Sequence, residues 1–361
     1  MVVDDSAVVR GLVTRWLDEA NDIEVVSTQR NGKMAVDALA DADPDVIILD
    51  IEMPEMDGLT ALPEILRKKP NVVVIMASTL TRRNAEISLK AMSLGARDYI
   101  PKPEAAHGMV TADDFRRDLL DKIRALAPRR TGAPRTALAR KVGGEQPRAK
   151  SFPAPLAGPI SLRSPSSVRP RVLVIGSSTG GPPALTSVLQ SLAADIADVP
   201  VLITQHMPPT FTGILAEHLA RASGRPSAEG KDGEPVTPGR IYVAPGGRHM
   251  IVEAGAVPTI RLTDGPPVNY CKPAVDPLFE SVAKTYGAAT LALVLTGMGH
   301  DGAAGGRAVA AAGGTVVAQD EASSVVWGMP GATARTGVCS AVLSLDRIPG
   351  QLSRYLKGIK A

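Results

Sequence analysis

Asp4 and Asp5 follow the apolar start Met1-Val2-Val3, Asp50 closes the run Val46-Ile47-Ile48-Leu49, and Lys102 stands between Pro101 and Pro103. Three carboxylates in one place repel one another unless a cation lies between them, and an all-oxygen set of this kind suits Mg²⁺. A carboxylate, a hard cation and a lysine together make a site for a phosphoryl group on Asp50. Singly, each residue has a plain structural reading. An Asp after a strand caps a helix, and a Lys is a solvated charge. What points to chemistry is that each stands at the end of a different strand pattern.

A second group lies beyond residue 170. Gly176-Ser177-Ser178-Thr179-Gly180-Gly181 follows an apolar run and opens a helical pattern. Such a turn either cradles a phosphate with backbone N–H groups or exposes a serine beside N–H donors as a nucleophile. No Lys follows as in a P-loop, and the pattern is not Gly-x-Ser-x-Gly. His206 comes after Val201-Leu202-Ile203-Thr204, and Asp301 lies in Thr296-Gly297-Met298-Gly299-His300-Asp301-Gly302. Alone, His206 reads as a strand-end residue and Asp301 as a helix N-cap. Together, Ser178, His206 and Asp301 supply nucleophile, base and orienting acid at one sheet edge, with helix-start amides for the oxyanion. His300 is a rival base, but neighbouring residues point in different directions. A metal site from His206, His249, His300 and Cys271 lacks any close ligand spacing.

The elements that must position these groups are legible as patterns. Val46–Leu49, Val72–Met76 and Tyr99-Ile100 read as buried strands, and Val8, Val9, Leu12, Val13, Trp16 and Leu17 share a helical face after the cap Ser6. Phe115, Leu119, Ile123 and Leu126 repeat that spacing. Strand and helix alternate, which predicts a parallel sheet with helices on both faces. After residue 170 the pattern restarts with strands at 171–175, 201–204 and 291–296. Ile241–Ala244 and Met250–Glu253 flank Pro245-Gly246-Gly247 and predict a hairpin. The second unit is thus α/β with an antiparallel addition.

With 361 residues the chain has room for two or three domains, and 44% hydrophobic composition excludes wholesale disorder. There is no apolar run of spanning length, and the N-terminus is too polar for a signal peptide; a soluble intracellular protein is expected, with no membrane insertion. Two cysteines exclude a disulfide scaffold, and 3% aromatics exclude a base-stacking surface. Residues 128–170 hold eight prolines and nine Arg/Lys against Glu145 alone, so this stretch is +8 and the remainder −5. It reads as a linker with a reach of roughly 33–39 Å, serving either as a passive tether or as an anionic docking segment. A nucleic-acid regulator using that basic linker is a weaker reading, because no helix-turn-helix pattern follows; no nucleic-acid partner is expected. The divisions are therefore 1–127, 128–170 and 171–361.

Residues 2–125 resemble a response-regulator receiver domain. The matching stretches are Val-Val-Asp4-Asp5-Ser, Leu-Asp50-Ile-Glu52-Met-Pro54-x-Met-Asp57-Gly58, Ser78, Gly95-Ala-x-Asp-Tyr99 and Pro101-Lys102-Pro103. The resemblance implies a five-stranded, flavodoxin-like parallel sheet with Asp50 as phosphoacceptor. It implies Mg²⁺ on Asp4, Asp5, Asp50 and the Glu52 backbone carbonyl, with Lys102 and Ser78 on the phosphoryl group and Tyr99 in the switch. Only three residues precede Asp4, which predicts a start several residues upstream.

Residues 171 to about 358 resemble the catalytic domain of chemotaxis protein-glutamate methylesterases of the CheB type. They share Ile-Gly176-Ser-Ser178-Thr-Gly-Gly181, Thr204-Gln-His206-Met-Pro208, Asp264-Gly-Pro-Pro-Val-Asn269, Pro273-Ala-Val-Asp276 and Leu295-Thr-Gly-Met-Gly-x-Asp301-Gly. The resemblance implies a doubly wound α/β domain whose Ser178, His206 and Asp301 hydrolyse glutamate methyl esters on chemoreceptors, and deamidate glutamines in some relatives. It also implies that Thr179 supports the histidine, that the Met298 amide serves as oxyanion donor, and that a chemotaxis histidine kinase is the phosphodonor in the cytoplasm. Ester hydrolysis itself would need no cofactor. Ala274 stands where many relatives carry Ser.

Overall fold

A computed structural model describes residues 1–102, 112–128 and 160–359, which form two α/β units. The first is built on strands β1 (Val2–Val3), β2 (Thr28–Gln29), β3 (Val46–Asp50), β4 (Val73–Ser78) and β5 (Asp98–Pro101). They pair in parallel in the order β2-β1-β3-β4-β5. Helices α1 (Ala7–Asp18), α2 (Gly32–Asp37), α3 (Leu39–Ala42), α4 (Gly58–Lys68), α5 (Arg82–Ser93) and α6 (Ala112–Leu126) cover both faces. Ser6 caps α1 by accepting from the Val9 amide, as its type predicts. Val13, Trp16 and Leu17 are buried, but Val8 is exposed; at about 100° per residue it lies well off the centre of the buried stripe. The strand order reverses direction between β1 and β3, and Asp4 and Asp50 stand at that switch point.

The second unit contains β6 (Val172–Ser177), α7 (Gly181–Ser191), β7 (Val201–Gln205), α8 (Phe211–Ser223), β8 (Ser227–Glu229) and β9 (Ile241–Val243). These are followed by β10 (His249–Glu253), β11 (Thr259–Thr263), α9 (Val275–Tyr286), β12 (Thr290–Val294), α10 (Ala303–Ala311), β13 (Thr315–Gln319), α11 (Met329–Arg335), β14 (Ala341–Leu343) and α12 (Ile348–Leu356). The main sheet is parallel throughout, in the order β14-β13-β12-β6-β7-β9-β8. The hairpin exists, but its strands differ from those expected. β9 is inserted between β7 and β8, so neither of its edges is free for β10, which pairs instead with β11. The reversal between β6 and β12 makes a second switch point. The turns after β6, β7 and β12 carry Ser178, His206 and Asp301 to that edge.

The two units share buried apolar surface, with α5 packed on α7 and α8. At the end of the stretch expected to be linker, Arg163, Ser166 and Arg169 are tied to the second unit through Cys339, Thr315, Ala288, Ala310 and Leu356. The basic residues between 129 and 150, and Pro103, lie outside the described residues. Among the described residues no helix is long and apolar enough to cross a membrane.

Candidate active site

The acidic cluster forms as the sequence predicts. Carboxylate oxygens of Asp4, Asp5 and Asp50 lie within 4.8 Å of one another. Lys102 Nζ stands 2.7 Å from Asp4 Oδ2 and 2.8 Å from Asp50 Oδ1. Burial pushes the Asp50 carboxyl up to about 6, against the pull of Lys102 and with the repulsion of Asp4. Burial also works against the Lys102 charge, but the two aspartates outweigh it and raise its pKa. The donor set fits Mg²⁺: all-oxygen, partly exposed through Asp5, and short of positive charge. The Ser78 hydroxyl is buried without a partner among the described residues, which leaves it available to a phosphoryl oxygen. Glu52 is exposed and its side chain is not part of the cluster. Gly58 is required at its position, since a Cβ there would collide with the Asp50 carbonyl oxygen.

In the second unit, β6 and β7 run in register with Ser177 opposite Gln205. Gln205 Nε2 donates to the Ser178 carbonyl at 3.0 Å and to the His206 carbonyl at 3.2 Å, while its Oε1 accepts from Ser177 Oγ at 2.7 Å. One buried amide therefore fixes the Ser178 turn relative to His206. From the other side, a Cβ on Gly297 would meet Ser178 Cβ at 2.9 Å, so the Met298 turn approaches Ser178 closely only because residue 297 is glycine. No described group accepts from the Met298 amide, and Met298 is half-buried.

His206 Nε2 is 2.7 Å from Asp301 Oδ2, and the ring's other nitrogen, Nδ1, is 3.3 Å from Cys271 Sγ. The Ser178 hydroxyl has no hydrogen-bond partner among the described residues. Ser178 and His206 are thus neighbours across two strand ends, but in this arrangement the base nitrogen faces sulfur. Burial acts to lower the imidazole pKa; the neighbouring Cys271 and Asp301 overcome it and push it up to about 10. Asp301 is opposed by burial too, yet His206 and the Val275 and Asp276 amides hold its carboxyl down to about 2.

Asp301 has a second task. It accepts from the Val275 and Asp276 amides at 2.6 and 3.0 Å, capping α9, which starts at Ala274 without a side-chain cap of its own. Asp276 returns the contact, accepting from the Gly302 and Gly305 amides at 2.9 and 2.7 Å at the start of α10. Asn269 Nδ2 bridges both carboxylates at 3.0 and 3.1 Å. Burial, and next the Asp301 charge, raise the Asp276 pKa, so the two neighbouring acids are driven apart. His249 is satisfied by the Ala274 amide and the Pro266 carbonyl, and His300 is exposed. Neither joins a metal cluster among the described residues.

Two expectations take a different form at the contact between the units. Thr179, expected to support His206, instead donates from Oγ1 to Asp98 Oδ2 of the first unit at 2.8 Å. The reason is that Asp98, at the start of β5, is itself pinned by Lys122 at 3.0 Å and aimed at the Ser178 turn. Tyr99 is buried and stacked on Phe211, with ring centroids 4.6 Å apart and planes within 9°. Its phenol pKa is raised well above the ordinary value, by burial first. Arg82 Nη2 adds an exposed contact, donating to both Glu217 carboxylate oxygens at 2.7 and 2.9 Å. In the sequence reading Asn269, Asp276, Gln205 and Asp98 stand in the matching stretches without a role, Cys271 is weighed only as a metal ligand, and Phe211 is passed over.

Residues 173–352 match the CheB methylesterase family, and residues 1–112 match the response regulator receiver domain. A protein-glutamate methylesterase/protein-glutamine glutaminase of group 2 operon from Bradyrhizobium diazoefficiens is 55% identical over 372 residues, covering 99% of this chain and 94% of its own length. A protein-glutamate methylesterase/protein-glutamine glutaminase from Nitrobacter hamburgensis is 56% identical over 360 residues, with the same coverages of 99% and 94%. The solved CheB methylesterase catalytic domain of Thermotoga maritima is 39% identical, covers 52% of this chain and 99% of its own, and gives a TM-score of 0.50.

The geometry fixes two outcomes. Asp276→Ala leaves the buried Gly305 amide unpaired and the Gly302 amide with Asp301 Oδ1 alone, and should cost about 1–3 kcal/mol, lowering Tm by on the order of 3–9 °C in thermal unfolding; an unchanged Tm would contradict the reciprocal caps. For pH, the His206 pKa is raised from 6.5 to about 10, so its stabilisation is complete below pH 6.5 and is lost as pH rises through about 10. Asp301 is lowered from 3.8 to about 2, so its share is present above pH 3.8 and is lost as pH falls through about 2. NMR titration of the His206 ring should give a midpoint far above 6.5; an ordinary midpoint would show that the Cys271 and Asp301 contacts do not hold in solution.

Proposed function

The chain belongs to the CheB methylesterase family, with a response regulator receiver domain ahead of the catalytic part, and we propose that it is a phosphorylation-activated protein-glutamate methylesterase and protein-glutamine glutaminase. Its substrates are γ-glutamyl methyl esters, and glutamine side chains, on the cytoplasmic helices of chemoreceptors. Its phosphodonor is a chemotaxis histidine kinase, and it works in the cytoplasm. The observation that carries the reading is the His206–Asp301 pair at 2.7 Å beside the Ser178 turn.

Ser178 Oγ attacks the ester carbonyl while His206 takes its proton through Nδ1, the nitrogen not facing Asp301; beside Cys271 the ring is held up to about 10 and carries its own proton, so the base form arises once the ring leaves the sulfur. For this the ring exchanges the Cys271 contact for Ser178. The Met298 amide faces the negative charge that develops on the carbonyl oxygen, since α7 opens with Pro182 and Pro183, which have no N–H, and the Gly181 amide is taken by the Ser178 carbonyl; one such donor is worth on the order of 10²–10³ in rate. His206 then protonates departing methanol, and afterwards activates the water that frees the glutamate. Asp301 keeps the ring oriented and stabilises its charged form. Each turnover restores a carboxylate on a receptor helix and increases like-charge repulsion there.

Control comes from the first unit. Asp50 accepts the phosphoryl group, Lys102 pairs with it and Ser78 donates to one of its oxygens. Mg²⁺ held by Asp4, Asp5, Asp50 and the Glu52 carbonyl would neutralise charge between carboxylate and phosphate. Lys102 follows the end of β5, and Asp98 and Tyr99 open that strand. A shift of Lys102 toward a phosphoryl group therefore acts on the strand that grips Thr179 and Phe211. The Asp98–Thr179 bond involves a charged acceptor and is worth about 1.5–3 kcal/mol, the Tyr99–Phe211 stack about 0.5–1.5 beyond burial, and the exposed Arg82–Glu217 pair under about 1. The grip on the Ser178 turn is thus the dominant polar restraint.

Methanol release from methylated receptor fragments, with and without a small phosphodonor, tests the whole reading. Release should rise on phosphorylation, and Asp50→Asn should abolish that rise. Ser178→Ala should lower release at least about a thousandfold; retained activity would displace the serine mechanism. Arg82→Glu should raise the unphosphorylated rate by about two- to fivefold, and adding Glu217→Arg should bring it back down. Equal rates in all three chains would mean that this contact does not restrain the enzyme.

A further inference from the structure

The serine mechanism leaves one nucleophile beside its base unused. Cys271 Sγ lies 3.3 Å from His206 Nδ1, and the ring's other nitrogen lies 2.7 Å from Asp301 Oδ2. Thiol, imidazole and carboxylate in that order form a cysteine nucleophile with its base and orienting acid. Cys271 is half-buried, and its neighbour Tyr270 is 85% exposed, so the sulfur is within reach of small solutes. The turn that carries it is held from both ends: the Val268 amide donates to the Cys271 carbonyl, and the Cys271 amide to the Val268 carbonyl. Asn269 and Tyr270 occupy left-handed backbone at φ 51° and 64°, a conformation uncommon for residues with a side chain. The other thiol, Cys339, is fully buried, and burial pushes it up to about 12. It provides an unreactive comparison within the same chain.

We propose that Cys271 is a site of reversible oxidation by small hydroperoxides, and that the oxidised form switches the hydrolase off. The sulfur attacks one peroxide oxygen while its proton rests on His206 Nδ1. An S–O bond forms and the O–O bond breaks. Sulfur is oxidised to the sulfenic acid, the peroxide is reduced, and the leaving hydroxide takes the proton from the ring to become water. The added oxygen occupies the space between sulfur and Nδ1 and keeps the ring from serving Ser178. That second half rests on the esterase reading above; the oxidation itself does not.

The test uses the full chain, hydrogen peroxide and dimedone trapping read by mass spectrometry. Cys271 should be captured at least tenfold faster in the folded chain than in the same chain unfolded in urea, with Cys339 unlabelled in the folded chain. His206→Gln should remove most of that advantage. Methanol release should fall in step with labelling and return with a thiol reductant. Capture no faster than in the unfolded chain would overturn the site, and this comparison needs no variant. Rapid capture with undiminished methanol release would overturn the switch. Rapid capture in a chain that never releases methanol would sink the esterase reading and leave the oxidation site standing.

Discussion

A carboxylate taken out of water must find partners for its charge, and Asp301 finds them in three places at once. It accepts the amides that open α9, receives the Asn269 side chain and holds the His206 ring. With Asp276 returning the cap to α10, two helices and the His206 imidazole share one small polar core beneath an otherwise apolar sheet. The reading of Asp301 as a helix cap is met, at α9, and the same carboxylate also touches the His206 ring. The His206 ring chiefly keeps it ionised, the helix amides it caps add to that, and its ionised state in turn orients the ring.

The contact between the units follows the same economy. Asp98 is held by Lys122 and reaches Thr179, the residue after Ser178, while Tyr99 lies flat on Phe211. The Ser178 turn is also held from within its own unit. Its peptide geometry is already set by Gln205 and Gly297. What the first unit contributes is a tether on the neighbouring hydroxyl and a wall beside the site.

Much of this was legible in the sequence because it rests on local rules. Apolar runs gave the central strands, Ser6 gave a helix start, and Gly- and Asp-marked turns after strands gave both edges where chemistry gathers. The rest depends on partners distant in the chain. Nothing local distinguishes β9 as an inserted parallel strand from one arm of a hairpin; that is decided by pairing with β7 and β8. Nor could spacing reveal that Thr179 would bond to Asp98, 81 residues away, or that the imidazole would turn toward Cys271. The short strands β8 and β14 carry too few apolar residues to stand out from loops.

The placement of Lys102 and Asp98 at opposite ends of β5 has a consequence for modularity. At about 3.3 Å per residue the two lie roughly 13 Å apart, so under the proposed function input and output would be linked by one rigid segment instead of a chain of intermediates. A receiver borrowed from another regulator would bring its phosphoryl chemistry intact. It would still be a mute passenger here unless it presented an acid and a flat ring at the register positions of Asp98 and Tyr99. The domain is interchangeable as a chemical device and particular to its host as a lever.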